Sequence, residues 1–102
     1  MKAYHKPWDI PHLKQTINPV DFYAFEGQEI KTQGSSPWKL GGLCPFHADR
    51  QAGSFYIHLV SGGYCCFSCQ AKGGDILDFT QKKHGLSFKD AVQKLIRDWR
   101  VI

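Results

Sequence analysis

The sequence predicts an α+β fold in which a small antiparallel β-sheet is flanked by helices toward both ends of the chain. Three observations carry this expectation. Two pairs of side chains able to hold a metal, Cys44-Pro45-Phe46-His47 and Cys66-Phe67-Ser68-Cys69, stand eighteen residues apart, which is long enough for a strand to leave and return. Between the pairs, Ser54 to Val60 alternates Phe55, Ile57 and Leu59 against Tyr56, His58 and Val60, the period of a strand with two different faces. After the second pair, two capped segments carry apolar residues at helical spacing.

In chain order, Asp9 and Pro11 open a short helix carrying Ile10, Leu13 and Ile17. Asn18-Pro19-Val20-Asp21 opens a second, with Asn as N-cap, Pro at the first helical position and an acid in the first turn. Gly27 is its expected stop. Gln28–Gln33 is read as a strand, Gly34-Ser35-Ser36-Pro37 as a turn, and Trp38–Leu43 as the strand that delivers Cys44. Gly41 and Gly42 in that strand imply a bulge or a close backbone approach. Ser61-Gly62-Gly63 supplies a hairpin turn, and Tyr64–Phe67 returns as the partner strand. Asp75 caps a helix through Ile76, Leu77 and Phe79 that stops at Gly85. Ser87 caps a last helix placing Phe88, Val92, Leu95, Ile96 and Trp99 on one face.

The paired spacing points to zinc. Structural zinc sites take Cys sulfur and His nitrogen in tetrahedra, drawn as two close pairs. Cys44, His47, Cys66 and Cys69 are therefore expected to hold one structural Zn2+ between two knuckle loops, making the sheet a zinc ribbon. Cys65 competes for a place in this set, but adjacent strand residues face opposite ways. Cys66 has the two-residue spacing to Cys69, so Cys65 is left as a spare thiol. Three thiolates and an imidazole fill a tetrahedron and leave no position for a substrate. His58 is read as a non-ligating strand histidine.

At 102 residues with 42% apolar content, the chain is expected to be a single domain with its core over roughly residues 10–96. No apolar run reaches a membrane span, and Met1–Lys6 lacks the apolar stretch of a signal peptide. A cytoplasmic, monomeric protein is expected, in which four cysteines serve a metal better than disulfides. The formal charge of +4 falls to about +3 with a zinc ion and three thiolates, a mildly basic balance compatible with a polyanion partner.

These residues resemble the Cys-His-Cys-Cys zinc-binding domain of bacterial DNA primases. The resemblance rests on Cys44-Pro45-Phe46-His47, Asp49-Arg50, Ser54-Phe55, Tyr64-Cys65-Cys66-Phe67-Ser68-Cys69, Gly74-Asp75 and the closing Leu86-Ser87-Phe88 with Asp90-Ala91-Val92. It covers about Ile10 to Ile96. The chain departs from the family pattern at Gly53, where Pro is usual, at Cys65, where His is usual, and at Ser68 and Gln70, where glycines are usual. The departures fit a divergent member from a phage, plasmid or other mobile element.

The resemblance implies a module that engages single-stranded template DNA while a separate primase catalytic domain, or a replication helicase, acts with it. Such a module is not an enzyme by itself, and no acidic cluster suited to two-metal nucleotidyl transfer is visible. Single-strand binders combine cationic and aromatic groups, so Lys39, Tyr56, His58 and Phe67 are expected to share the sheet face away from the core, flanked by Arg50 and Lys72. Two alternatives stand beside this reading: a zinc-ribbon interaction module docking a helicase or polymerase, and, more remotely, a zinc deaminase-like enzyme using His47, Cys66 and Cys69 as three ligands.

Overall fold

The computed structural model describes residues 9–101; the Met1–Lys6 stretch noted above lies outside them. Four helices and four strands follow in the order α1 (Ile10–Thr16), α2 (Pro19–Phe25), β1 (Trp38–Leu40), β2 (Phe55–His58), β3 (Tyr64–Cys66), β4 (Lys72–Gly73), α3 (Ile76–His84) and α4 (Phe88–Trp99). The architecture is α+β, as the sequence predicts. Among the described residues no helix is long and apolar enough to cross a membrane.

Local chemistry sets the helix ends. Asp9 accepts from the His12 N–H, Asn18 from Val20 and Asp21, Asp75 from Asp78 and Ser87 from Asp90, each satisfying a donor the first turn leaves unpaired. Helix α3 ends on Gly85 with φ +64, the left-handed conformation glycine adopts without steric cost. Helix α2 ends one residue before Gly27, on Glu26. The Glu26 carboxylate, nearly buried, receives Lys83 at 2.8 Å and His84 at 3.0 Å, which ties the ends of α2 and α3 together.

The sheet is antiparallel throughout, in the order β1-β2-β3-β4. Trp38 pairs with His58, Lys39 with Ile57 and Leu40 with Tyr56, while Phe55 pairs with Cys66 and Tyr56 with Cys65. Because cross-strand partners share a face, Phe55, Ile57, Tyr64 and Cys66 turn toward the helices. Trp38, Tyr56, His58 and Cys65 turn away. The inner residues meet Phe22, Tyr23, Phe79, Leu95 and the aliphatic residues of α1, α3 and α4 in one buried cluster. Phe79 is its hub: its ring lies 4.8–6.4 Å from those of Phe22, Tyr23, Phe46, Phe55 and Tyr64.

Four expectations are corrected. Gln28–Gln33 forms no strand; its backbone reaches β1 through one hydrogen bond, from Lys31 N to Leu40 O. The Trp38–Leu43 strand stops at Leu40, because Gly41 passes so close to Ile57 that a Cβ there would lie 2.4 Å from Ile57 Cδ1, and Gly42 takes φ +78. Lys39 is on the inner face opposite Ile57, only 6% exposed, with its ammonium donating to the carbonyls of Gln33 and Gly34 at 2.7 Å each. Phe88 is 52% exposed: as the first residue of α4 it projects past the helix end, leaving Ala91, Val92 and Leu95 to make the buried stripe.

Phe79→Ala is expected to cost about 3–5 kcal/mol, the range for deleting a fully buried aromatic. Denaturant titration of the metal-loaded protein checks this, and a loss below about 1 kcal/mol would contradict the central position of the ring.

Candidate metal centre and the outer sheet face

Cys44 and His47 come from the loop after β1, Cys66 from the end of β3, and Cys69 from the turn before β4. Their donor atoms all lie within 4.8 Å of one another. Cys66, not Cys65, stands in this group, since Cys65 pairs with Tyr56 on the opposite face.

The separations suit one ion. Zn–S bonds of about 2.3 Å at tetrahedral angles put two sulfurs about 3.8 Å apart, and Cys44 Sγ and Cys69 Sγ are 3.7 Å apart. Cys66 Sγ lies 4.0 Å from His47 Nδ1. A Cys-His-Cys-Cys set of this size accepts a single zinc ion. With Cys44 as fourth donor, the three-ligand arrangement of a zinc deaminase has no support in this geometry.

Each loop is built to aim its donors. Pro45 and Phe46 separate the first pair, and the Phe46 ring stacks on Tyr64 at 5.4 Å and meets Phe79 edge-on, so the ligand loop is anchored in the aromatic core. Phe46 N–H also points at Cys44 Sγ, 3.4 Å away. In the second loop, Cys66 N donates to Ala71 O and Gln70 N donates to Cys66 O, both at 2.8 Å. That turn holds Gln70 at φ +66, a conformation a Cβ disfavours, at one of the positions where the sequence departs from glycine.

Asp49 and Gln28 hold the first loop from behind. Asp49 Oδ2 accepts from Cys44 N at 2.8 Å, and its Oδ1 lies 3.5 Å from His47 Nε2. His47 thus presents Nδ1 to the cluster while a carboxylate orients its other nitrogen, the arrangement that fixes tautomer and ring plane in zinc sites. The Cys44 N–H, above all, and the neighbouring Gln51 N–H and His47 hold the Asp49 carboxyl below the ordinary carboxylate range. The Gln28 amide donates to the carbonyls of Gly41 (2.6 Å) and Leu43 (2.7 Å), pinning the residues just before Cys44. Sequence reasoning missed both roles. Asp49 had only its nearness to His47 as a signal, and Gln28 had none.

Burial, with sulfur crowding behind it, explains why the set wants a cation. Burial first, and then the Cys66 and Cys69 sulfurs, push the Cys44 thiol up to about 12, with the Phe46 N–H opposing. For Cys66, burial works against ionisation but is outweighed by N–H groups of Cys69 and Ser68, so its thiol is lowered. Binding zinc at neutral pH must therefore displace a proton from Cys44, and affinity falls as pH falls.

On the outer face, the structure brings Tyr56, His58 and Phe67 together with Trp38 and Cys65, and places Lys72 on β4 opposite Cys65. Phe67 packs edge-on against Tyr56 at 5.5 Å, and Trp38 against His58 at 5.0 Å. Trp38 occupies the place expected for Lys39. His58 spends Nδ1 on the turn, accepting from Val60 N and Ser61 N. Arg50 is exposed in the loop after His47.

A protein-family model described as CHC2 zinc finger matches residues 7–101. A DNA primase of Campylobacter jejuni is 43% identical over 86 residues, covering 84% of this chain and 13% of that protein. A DNA primase of Thermotoga maritima is 42% identical over 88 residues, covering 86% of this chain and 14% of the relative. The chain thus spans about an eighth of the length of these relatives. Among solved structures, the Aquifex aeolicus primase, comprising zinc-binding and RNA polymerase domains, is similar over 100% of this chain and 23% of its own, with a TM-score of 0.72 and 25% identity.

Asp49→Ala is expected to weaken zinc binding by about 10- to 100-fold, the usual cost of losing a group that orients a ligand, and to raise the pH at which acidification releases the metal. Competition with a chromophoric chelator across a pH series measures both. An unchanged release profile would remove Asp49 from this role.

Proposed function

Since this chain belongs to the CHC2 zinc-finger family, the zinc-binding domain of DNA primases, we propose that it is a non-catalytic module that holds single-stranded template DNA for primer synthesis by a separate catalytic domain. The observation that carries the reading is the outer sheet face. Trp38, at 42% exposure, and Phe67, at 74%, stand there beside Tyr56, although the same sheet has a fully buried aromatic core on its other side. Aromatic side chains on an open sheet suit the stacking of bases, and nearby cations suit phosphates. Lys72 borders this face, and among the described residues neither Lys72 nor Arg50 is paired with a carboxylate.

On this reading the metal does no chemistry. Zinc, when bound, supplies the charge that lets three thiolates and one imidazole converge. Phe46, Asp49 and Gln28 orient the donors, and the fixed loops keep β2 and β3 in register so that their outer residues form one surface. A DNA-handling role also places the protein in the cytoplasm, with a primase catalytic domain or replication helicase as partner. The whole domain, core and flanking helices together, is proposed to act as one unit.

A second reading, a module that docks a helicase or polymerase, draws on the shallow apolar depression of about 410 Å³ lined by Ile10, Phe88 and Val92. It predicts partner capture that survives loss of Phe67 and is abolished by Phe88→Glu.

Titration of a fluorescent single-stranded oligonucleotide at several salt concentrations tests the first reading. The logarithm of affinity is expected to fall linearly with that of salt, by about 0.7 for each phosphate neutralised. Lys72→Ala is expected to weaken binding and reduce that slope. Lys39→Ala is expected to change stability and leave binding alone, because its ammonium is engaged within the chain. No binding at low salt would overturn the reading.

A further inference from the structure

The outer sheet face is not flat. A depression of about 320 Å³ is lined by Trp38, Tyr56, Cys65 and Phe67. Two further depressions adjoin it through shared residues, one lined by Cys65, the ligand Cys66, Phe67, Gln70, Ala71 and Lys72, the other by Trp38, Tyr64, Cys65, Lys72, Gly73 and Gly74. Cys65 is common to all three. Its small side chain sits between Tyr56 and Lys72 in the cross-strand row, where a larger residue would fill the gap. The edge-on contacts of Tyr56 with Phe67, at 75°, and of Trp38 with His58, at 84°, fix the neighbouring ring planes and leave them open to the depression.

We propose that the Trp38–Tyr56–Cys65–Phe67 depression is a pocket for one unstacked nucleobase of single-stranded DNA, with Lys72 meeting an adjoining phosphate. The inference rests on the reading of the outer face as a single-strand surface and adds a defined subsite to it. Two features select this occupant over an apolar protein segment. The pocket floor and walls are apolar or aromatic, as a base requires, and no carboxylate lines any of the three depressions. A lysine ammonium free of any carboxylate among the described residues borders two of them, which gives an anionic ligand its counter-charge beside an apolar slot. A base in a duplex has both faces covered by its neighbours, so only a single strand can offer one. Cys65 therefore has a role in shape: it leaves room for the base.

The test compares an oligodeoxynucleotide with an abasic strand of equal length, which keeps every phosphate and removes the bases. The variants are Cys65→Leu, which fills the floor, and Trp38→Ala, which removes a wall at a site remote from the metal ligands. Zinc content is measured for each. The base-bearing strand is expected to bind the native protein about 5- to 150-fold more tightly than the abasic one, the range for stacking one base on aromatic side chains. Each variant is expected to remove most of that advantage while leaving abasic affinity and its salt slope unchanged. Should Cys65→Leu lose zinc, Trp38→Ala decides. Equal affinity of the two strands, or an advantage that survives Trp38→Ala, overturns the pocket and leaves the single-strand reading standing. No binding of either strand at low salt overturns both.

Discussion

The structure depends on the convergence of three sulfurs and one ring nitrogen from two short loops. Without a cation only neutral thiols converge readily, since burial and neighbouring sulfur push the Cys44 thiol upward and disfavour its thiolate. A zinc ion held there would cross-link the two loops through all four donors. The free energy of structural zinc binding, about 10–16 kcal/mol in zinc-finger peptides, is as large as the ~5–15 kcal/mol net stability of a whole domain. The strands it organises are only two to four residues long, too short for a free-standing sheet. The aromatic cluster around Phe79 contributes the second half of the support, and Phe46 joins the two halves because it lies between Cys44 and His47 yet packs on Tyr64 and Phe79.

The same cross-link dictates what the outer face can be. Side chains alternate along a strand, so fixing Cys66 toward the metal sends Cys65 to the other side, and burying Phe55 and Ile57 sends Tyr56 and His58 with it. The ligand set lies at the end of the strands, and its member Cys66 borders one of the depressions on this surface. Its main influence is through register: a slip of one residue would carry the whole outer set into the core. Lys39 and Trp38 show how strict this is. Being neighbours, they must face opposite ways, and pairing with Ile57 puts Lys39 inside.

Much of this was legible in the sequence because it follows from local chemistry. The ligand spacing, the caps at Asn18, Asp75 and Ser87, and the choice of Cys66 over Cys65 each need only a few adjacent residues. What was not legible depends on contacts distant in the chain. Gln28–Gln33 has the composition of a strand, but its carbonyls at Gln33 and its side chain at Gln28 are taken by Lys39 and by the loop before Cys44. The phase of β1 is set by its pairing with β2 and by the tight passage of Gly41 over Ile57, neither of which the local pattern shows. Strand β4 is two residues long and carries no periodic signal. Phe88 has the spacing of a core residue, yet it sits at the first turn of α4, beyond the edge of what the helix covers.

The most direct measurement of the central claim is far-UV circular dichroism with thermal melting before and after verified removal of zinc by a chelator. The account predicts that the metal-free protein loses the cooperative transition of the sheet, and that adding zinc back restores it. An unchanged melting curve in protein shown to be metal-free would contradict the claim that the Cys44–Cys69 cross-link holds this fold together.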